Sequence, residues 1–199
     1  MLTVVIQAGG ASSRMGEDKA LKPFLGRPLI QRVVERLTPI ADEMIVTTNR
    51  PADYEFLNMR LVADLKPGRG ALGGLYTAIA SAAFPFVAVV ACDMPFASPM
   101  LIEGARRLMV EEEADVVIEK TEAGYEPFHA LYRRETCLPA IESAIEAEQW
   151  KVIVWFPQVK VRTLSPAEVK AFDPSGLCFW NINTPEEFLQ AEQIAQQTN

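Results

Sequence analysis

The residues best suited to chemistry lie near the amino terminus, in the sequence AGGASSRMGEDK over residues 8–19. Two glycines at 9–10 let the backbone turn sharply and bring its N–H groups close to a ligand. Arg14 offers a charged planar fork and Lys19 a point charge, a combination suited to a polyphosphate. The spacing matches neither GxxxxGK[ST] nor GxGxxG. A structural glycine turn is the alternative, but a loop directly after a strand favours function, and we predict a phosphate-binding loop.

A second candidate site is Asp93, which follows the apolar segment 86–91. Ligands of open α/β sheets bind at the carboxyl ends of the strands, where a carboxylate needs a cationic partner. Mg²⁺ held by one or two carboxylates and by phosphate oxygens fits this position. The alternative is a helix cap, but Ser98 followed by Pro99 offers the next helix a better cap. We therefore predict that Asp93 is a metal ligand.

Two further polar residues, Asn183 and His129, each leave two interpretations open. Asn181 and Asn183 share a face in extended backbone, so Asn183 either serves the metal and phosphate site or caps the helix that follows. His129, the single histidine, lies in an apolar strand and is either a buried structural residue or a substrate contact. We assign the three tryptophans, at 150, 155 and 180, to the core rather than to ligand stacking.

Composition favours a single domain over residues 1–199. Hydrophobic residues make up 49% of the chain, and no apolar run approaches the ~20 residues of a membrane span. A net charge of −7 argues against a nucleic-acid partner, although cations collect locally at 14–27. The sequence begins without an export signal, and Cys92, Cys137 and Cys178 are scattered and odd in number. We therefore expect no disulfide framework and a cytoplasmic location.

Strands alternate with helices along the chain, which predicts an α/β fold. The predicted strands are residues 4–7, 43–48, 60–63, 86–91 and 115–119, and the predicted helices are 27–37, 72–83, 99–112, 134–148 and 184–197. The last helix begins with Thr184, Pro185 and Glu187 arranged as a capping box. The apolar strand 86–91 suggests burial on both faces of a central parallel strand.

Four motifs in this order resemble the molybdenum cofactor guanylyltransferases and the related molybdopterin cytidylyltransferases. They are GG-x-S-S-R-M-G-x-D-K from residue 9, the glycines at 73–74, ACDMP at 91–95 and NINTPEE at 181–187. The resemblance extends over most of the chain. It implies a three-layer αβα sandwich with a Rossmann-like, mostly parallel sheet of the nucleotidyltransferase type. It also implies a short helix at 151–156 with a strand near 159–164, whereas the β-branched sequence KVIVWF by itself predicts a strand at 151–156.

The resemblance also implies roles for particular residues. The implied catalytic residues are Arg14, Lys19 and Asp93, with Asp93 as the Mg²⁺ ligand. The implied nucleotide-binding residues are Gln7, Ala8, Gly9, Gly10, Lys19, Thr47, Asp64, Gly73 and Asp93. Substrate contacts are implied for His129, Asn181 and Asn183. Two positions depart from the family pattern, because Gln7 replaces a leucine and Thr47 stands where asparagine is common. By sequence alone, Asp64 would be a turn residue.

The activity implied is transfer of GMP from GTP to molybdopterin with release of pyrophosphate, dependent on Mg²⁺ and without a covalent enzyme intermediate. GTP and a molybdopterin-type cofactor are the implied partners, together with molybdoenzymes or other proteins of cofactor biosynthesis; neither nucleic acid nor membrane is expected. Alternatives are cytidylyl transfer from CTP, transfer to another small phosphate, and a nucleotide-binding sensor without turnover. The sensor is disfavoured because a pure binder has no need of both Lys19 and Asp93.

Overall fold

The computed structural model describes residues 1–8, 18–122 and 124–197. A central sheet runs through these residues with helices on both sides. The strands are β1 (Leu2–Gln7), β2 (Pro23–Phe24), β3 (Arg27–Pro28), β4 (Glu43–Thr47), β5 (Arg60–Val62), β6 (Phe86–Ala91), β7 (Val116–Thr121), β8 (Gly124–Tyr125), β9 (His129–Arg133) and β10 (Val161–Leu164). The α-helices are α1 (Leu29–Leu37), α2 (Gly70–Ser81), α3 (Pro99–Glu111), α4 (Arg134–Glu146), α5 (Pro166–Phe172) and α6 (Pro185–Gln197).

The sheet has the strand order β10-β7-β9-β6-β1-β4-β5, and β8 extends it by pairing with β7. Strand β9 runs antiparallel to its neighbours β6 and β7, whereas the other pairs along this order are parallel. In register, Gln7 lies between Thr47 of β4 and Ala91 of β6. The carboxyl ends of the three central strands therefore meet at one edge, and the polar residues that follow them are brought together there.

Two apolar layers separate the sheet from its helices, because successive side chains of a strand point to opposite faces. On one face Val4, Ile6 and Val90 pack with buried residues of α1 and α3. On the other face Val5 and Val89 pack with α2 and α4. This arrangement confirms the predicted α/β fold with three layers and a mostly parallel sheet.

A smaller apolar cluster joins the amino-terminal part of the chain to its last helix. Phe24 of the β2–β3 hairpin packs edge-on against Phe188 of α6, with 5.5 Å between the ring centroids. The backbone N–H of Leu25, which begins the hairpin turn, donates to Glu192 Oε1 at 2.7 Å. These contacts keep the segment before α6 close to the segment before the hairpin.

β-propensity predicts a strand at residues 151–156, and this prediction is wrong. Residues 152–155 form turns and a 3₁₀ helix follows at Phe156–Gln158, so the short helix that the resemblance implies at 151–156 lies later than expected. The strand implied near 159–164 is confirmed as β10. Trp155 is fully buried and its indole Nε1–H donates to the Val152 carbonyl at 2.8 Å, so the apolar residues pack from a turn instead of a strand. Among the helices of the described residues, none has the length and hydropathy needed to cross a membrane. The single-domain organisation stays a prediction.

Candidate functional site

A cluster of oxygen atoms surrounds the amine of Lys19 at the carboxyl edge of the sheet. Lys19 Nζ donates to Asp93 Oδ2 at 3.2 Å, to the Ile182 carbonyl at 2.9 Å and to Asn183 Oδ1 at 3.2 Å. The side chains of Lys19 and Asp93 are 14% and 21% exposed, so the pair is largely but not wholly withdrawn from water. Residues far apart in sequence, which were predicted separately, thus form one site.

Asp93 is free to serve this site because α3 is capped by another residue. The Ser98 hydroxyl oxygen accepts the N–H of Leu101 at 3.2 Å, and Pro99 follows at the first helical position, as predicted. The backbone carbonyl of Asp93 accepts the N–H of Ile182 at 3.0 Å, which ties the segment before α6 to the end of β6. The helix-cap interpretation of Asp93 is therefore wrong.

Asn183 also contacts the site instead of capping α6. The cap is Thr184, whose hydroxyl accepts the N–H of Glu187 at 3.1 Å, while Glu187 Oε2 accepts the N–H of Thr184 at 3.0 Å. This reciprocal pair confirms the predicted capping box. Asn181 contributes its backbone, because its carbonyl accepts Asn183 Nδ2 at 3.4 Å.

Oxygen atoms of a carboxylate, a side-chain amide and a backbone carbonyl converge on the Lys19 cation. Hard cations such as Mg²⁺ prefer such ligands, and Mg²⁺ is commonly held by one or two carboxylates with phosphate oxygens and water completing the shell. Within the described ranges no group of three or more His, Cys, Asp or Glu side chains could hold a metal unaided. The donor set therefore fits a Mg²⁺ that Asp93 would hold together with substrate phosphates, rather than a closed protein cage.

The residues predicted to bind nucleotide lie at the ends of β1, β4 and β5, along the same carboxyl edge of the sheet. The N–H of Ala8 donates to the Thr47 carbonyl at 2.9 Å, and the Gln7 carbonyl accepts the N–H of Cys92 at 3.0 Å. Thr47 itself is only 3% exposed. The exposed polar group at this strand end is Asn49, two residues later, whose side chain makes a reciprocal pair with Asp64.

In that pair, Asn49 Nδ2 donates to Asp64 Oδ2 at 2.7 Å and Asn49 Oδ1 accepts the N–H of Asp64 at 3.0 Å. Sequence reasoning missed Asn49 because it placed the strand-end position at Thr47. The signal was available, since Asn49 directly follows the two threonines that end the apolar run of β4. The Asn49 amide holds the Asp64 carboxylate after the carboxyl end of β5, and the nucleotide contact of Asp64 stays a prediction.

Helix α2 begins at Gly70 without a side-chain cap from Arg69. A Cβ at Gly73 would lie 2.8 Å from both the Lys66 carbonyl oxygen and Arg69 Cβ, so close backbone packing requires glycine there. At Gly74 the nearest atom to such a Cβ is Gln7 Nε2, at 3.0 Å. Gly74 thus lets the start of α2 pack against the end of β1, and the amino-terminal N–H groups of a helix are suited to bind an anion.

His129 is placed as a buried structural residue. It is 1% exposed, its Nε2 accepts the N–H of Ser98 at 3.2 Å, and its ring meets Phe179 edge-on at 5.1 Å. Burial lowers the pKa of the imidazole to about 4, so it is neutral near pH 7. In the neutral ring that accepts at Nε2, the proton is on Nδ1, for which the described residues supply no hydrogen-bond partner.

The tryptophan prediction holds for two of three residues. Trp155 is fully buried, and Trp180 stacks on Phe96 with 5.9 Å between ring centroids. Trp150 is 57% exposed and its ring lies 5.1 Å from the Arg69 guanidinium carbon, so its assignment to the core is wrong.

Gly9, Gly10 and Arg14 lie outside the described residues, and their predicted roles stay predictions.

Comparison with known proteins identifies related sequences along the whole chain. A molybdenum cofactor guanylyltransferase of Desulfosudis oleivorans is 35% identical over 195 residues, which cover 96% of this chain and 94% of the relative. A probable molybdenum cofactor guanylyltransferase of Pelotomaculum thermopropionicum is 36% identical over 195 residues, which cover 98% of this chain and 93% of the relative.

Solved structures show the same fold. The crystal structure of molybdopterin-guanine dinucleotide biosynthesis protein A from Archaeoglobus fulgidus matches with a TM-score of 0.84 and 27% identity, covering 98% of this chain and 99% of the other. A 4-diphosphocytidyl-2C-methyl-D-erythritol synthase from Anaerococcus prevotii matches with a TM-score of 0.70 and 13% identity, covering 98% of each chain, and shows the fold alone.

Residues 4–159 match the MobA-like NTP transferase domain, which includes the glycine loop, Lys19, Asp64 and Asp93. Two residues that contact Lys19, Ile182 and Asn183, lie after residue 159 and so outside the matched domain. They lie within the part of the chain that the relatives cover. Sequence, fold and the position of the site agree, and the chain belongs to the family of MobA-like NTP transferase domains.

Proposed function

We propose that the protein transfers GMP from GTP to a molybdopterin-type cofactor, releasing pyrophosphate, with Mg²⁺ held by Asp93. The observation that carries the proposal is the meeting of Lys19 and Asp93 at the carboxyl edge of the sheet, 3.2 Å apart. Its support from comparison is the 35% identity, over nearly the full chain, to a relative named molybdenum cofactor guanylyltransferase.

The reaction needs little covalent assistance from the protein. The attacking group is a phosphate oxygen of the acceptor, which is already anionic, so no strong general base is required. The buried, neutral His129 is accordingly not assigned as a base. The protein must align the two phosphates and oppose the charge that builds between the α-phosphate and the departing pyrophosphate.

Lys19 is suited to opposing that charge. Its amine is held by three oxygen atoms and lies next to the carboxylate that we assign to the metal. Bound Mg²⁺ would supply further neutralisation of the phosphate oxygens as a Lewis acid. Arg14 and the glycines at 9–10 are assigned to the triphosphate on their residue types and on the loop sequence.

We assign the nucleoside to the ends of β1, β4 and β5 at the carboxyl edge of the sheet. The Asp64 carboxylate, held by Asn49, is suited to accept N–H or O–H donors from a nucleoside. Backbone groups of Gln7 and Ala8 and the glycines that begin α2 would line the same space. Asn183 contacts the Lys19 amine, and we assign it with Asn181 to the boundary between the nucleotide and the acceptor.

The experiment is a pyrophosphate-release assay with purified protein, Mg²⁺ and molybdate-loaded molybdopterin. We expect release with GTP, none when the acceptor is omitted, and much less with CTP or ATP. Efficient turnover with CTP would replace the guanylyl assignment by a cytidylyl one. Nucleotide binding without release under any of these conditions would leave a sensor and refute the enzyme proposal.

A further inference from the structure

A buried tyrosine reaches the catalytic loop from a part of the chain that no motif covers. Tyr54 lies in the 3₁₀ helix Pro51–Leu57, between β4 and β5, and is fully buried. Its hydroxyl donates to Asp18 Oδ2 at 2.7 Å. Burial and the neighbouring Asp18 carboxylate raise the pKa of the Tyr54 phenol, so the hydroxyl keeps its proton and remains a donor.

The other oxygen of Asp18 organises the backbone that carries Lys19. Asp18 Oδ1 accepts the N–H of Ala20 at 3.1 Å and thereby caps the 3₁₀ turn Lys19–Leu21. A second, weaker contact reaches Asp18 Oδ2 from Arg50, with 3.7 Å between nitrogen and oxygen. One oxygen of the Asp18 carboxylate is thus bound by the β4–β5 connection, and the other oxygen stabilises the 3₁₀ turn that contains Lys19.

The position of the Lys19 amine depends on that turn. A lysine side chain has a long flexible stem, so the placement of Nζ is set by its backbone and by the three oxygens that it contacts. If the turn shifts, the amine can keep only some of these contacts. A displacement of this kind weakens catalysis more than it weakens ligand binding, because only the transition state demands the exact alignment.

We propose that Tyr54 is a positioning residue, whose hydroxyl fixes Asp18 and through it holds the Lys19 amine against Asp93. The kinetic part of this inference rests on the proposed guanylyl transfer. The placement of the amine does not depend on that activity and can be measured separately.

The test compares Tyr54→Phe with a matched control, Tyr132→Phe. Tyr132 is also fully buried, on the opposite face of the sheet from Tyr54, and its hydroxyl donates to the Pro127 carbonyl at the same distance, 2.7 Å. Trace acetylation followed by mass spectrometry gives the reactivity of Lys19 relative to the exposed Lys120. Steady-state kinetics give kcat and the KM for GTP.

For Tyr54→Phe we expect Lys19 to react at least roughly threefold faster, because the amine loses part of its charged hydrogen bonding. We also expect kcat to fall roughly tenfold with little change in the KM for GTP. Tyr132→Phe should leave both quantities near the wild-type values, whatever it does to the melting temperature.

Unchanged Lys19 reactivity in folded Tyr54→Phe would overturn the inference, as would equal changes in both variants. If Tyr54→Phe does not fold, Asp18→Asn tests the same contact from the other side, because it keeps an oxygen for the N–H of Ala20 and replaces the acceptor of the Tyr54 hydroxyl by an amide donor. Unchanged Lys19 reactivity in folded Asp18→Asn would likewise overturn the inference. A wild-type protein without guanylyl transfer would refute the proposed function alone, since the acetylation comparison would still decide the role of Tyr54.

Discussion

Replacement of Lys19 by methionine removes the cation of the site and keeps the length and apolar stem of the side chain. Three oxygen atoms would lose their donor, on Asp93, Ile182 and Asn183. A hydrogen bond to a charged group contributes about 1.5–3 kcal/mol, and Asp93 can recover part of this loss from water, since it is 21% exposed. We therefore expect a loss of stability on the order of one such hydrogen bond.

That loss corresponds to a small shift in melting temperature, about 3–12 °C for a chain of this size. The effect on turnover should be larger. Loss of one preorganised electrostatic stabiliser of the transition state lowers kcat by roughly 10²–10³-fold, or about 2.7–4 kcal/mol. Lys19→Met should therefore remain folded at assay temperature and be nearly inactive.

The matched control is Lys22→Met, three residues further along the same segment. The Lys22 amine lies 4.6 Å from the centre of the Phe188 ring, a contact of about 0.5–1 kcal/mol at an exposed site. We expect it to change kcat by less than roughly threefold, because it removes the same formal charge away from the reacting phosphates. Pyrophosphate release and melting curves for both variants supply the measurement. Equal losses of kcat would mean that general charge, rather than the placement of Lys19, controls turnover.

Three further predictions concern single positions. Asp93→Asn should abolish turnover while calorimetry shows only modestly weaker GTP binding, and added Mg²⁺ should restore little; an unfolded variant whose folded fraction is active would make Asp93 a turn residue. Gly73→Ala should lower the free energy of unfolding in urea by about 1–3 kcal/mol, because the added Cβ would meet backbone at 2.8 Å, whereas Gly74→Ala meets a flexible side chain and should cost less. The pKa of His129 in the folded state, about 4, lies below its value in the unfolded chain, so the neutral imidazole contributes stability above about pH 6.5 that is lost as pH falls. Relative to His129→Gln, the free energy of unfolding of the wild type should decrease by about 2 kcal/mol between about pH 7.5 and about pH 5. Equal pH dependence of the two proteins in urea unfolding would refute this.

The sequence predicted the sheet well because its central strands are unambiguous. The segment 86–91 has no polar residue, and such a run is typical of a strand buried on both faces, as β6 is. The strand predicted at residues 151–156 is wrong because burial in a turn requires the same apolar residues as burial in a strand. Helix α5 was missed although Ser165, Pro166 and Glu168 form a capping box that is readable in the sequence.

The site was predicted in its residue types but not in its connections. Lys19 and Asp93 were identified from charge and from their position after strands. The contacts of Lys19 with Ile182 and Asn183 depend on how α6 packs against the β2–β3 hairpin, which spacing in the sequence does not encode. Tyr54 gave no signal, because a tyrosine in a polar connection becomes informative only when its hydroxyl is seen to reach Asp18.

The proposed function requires that the site transfers the nucleotidyl group rather than a terminal phosphate. The direct test supplies the protein, Mg²⁺ and molybdate-loaded molybdopterin with GTP labelled at either the α- or the γ-phosphate, and follows the label by chromatography. We expect the α label to enter the pterin product and the γ label to leave in pyrophosphate, both only when Lys19 and Asp93 are intact. Transfer of the γ label to the pterin would refute nucleotidyl transfer at this site.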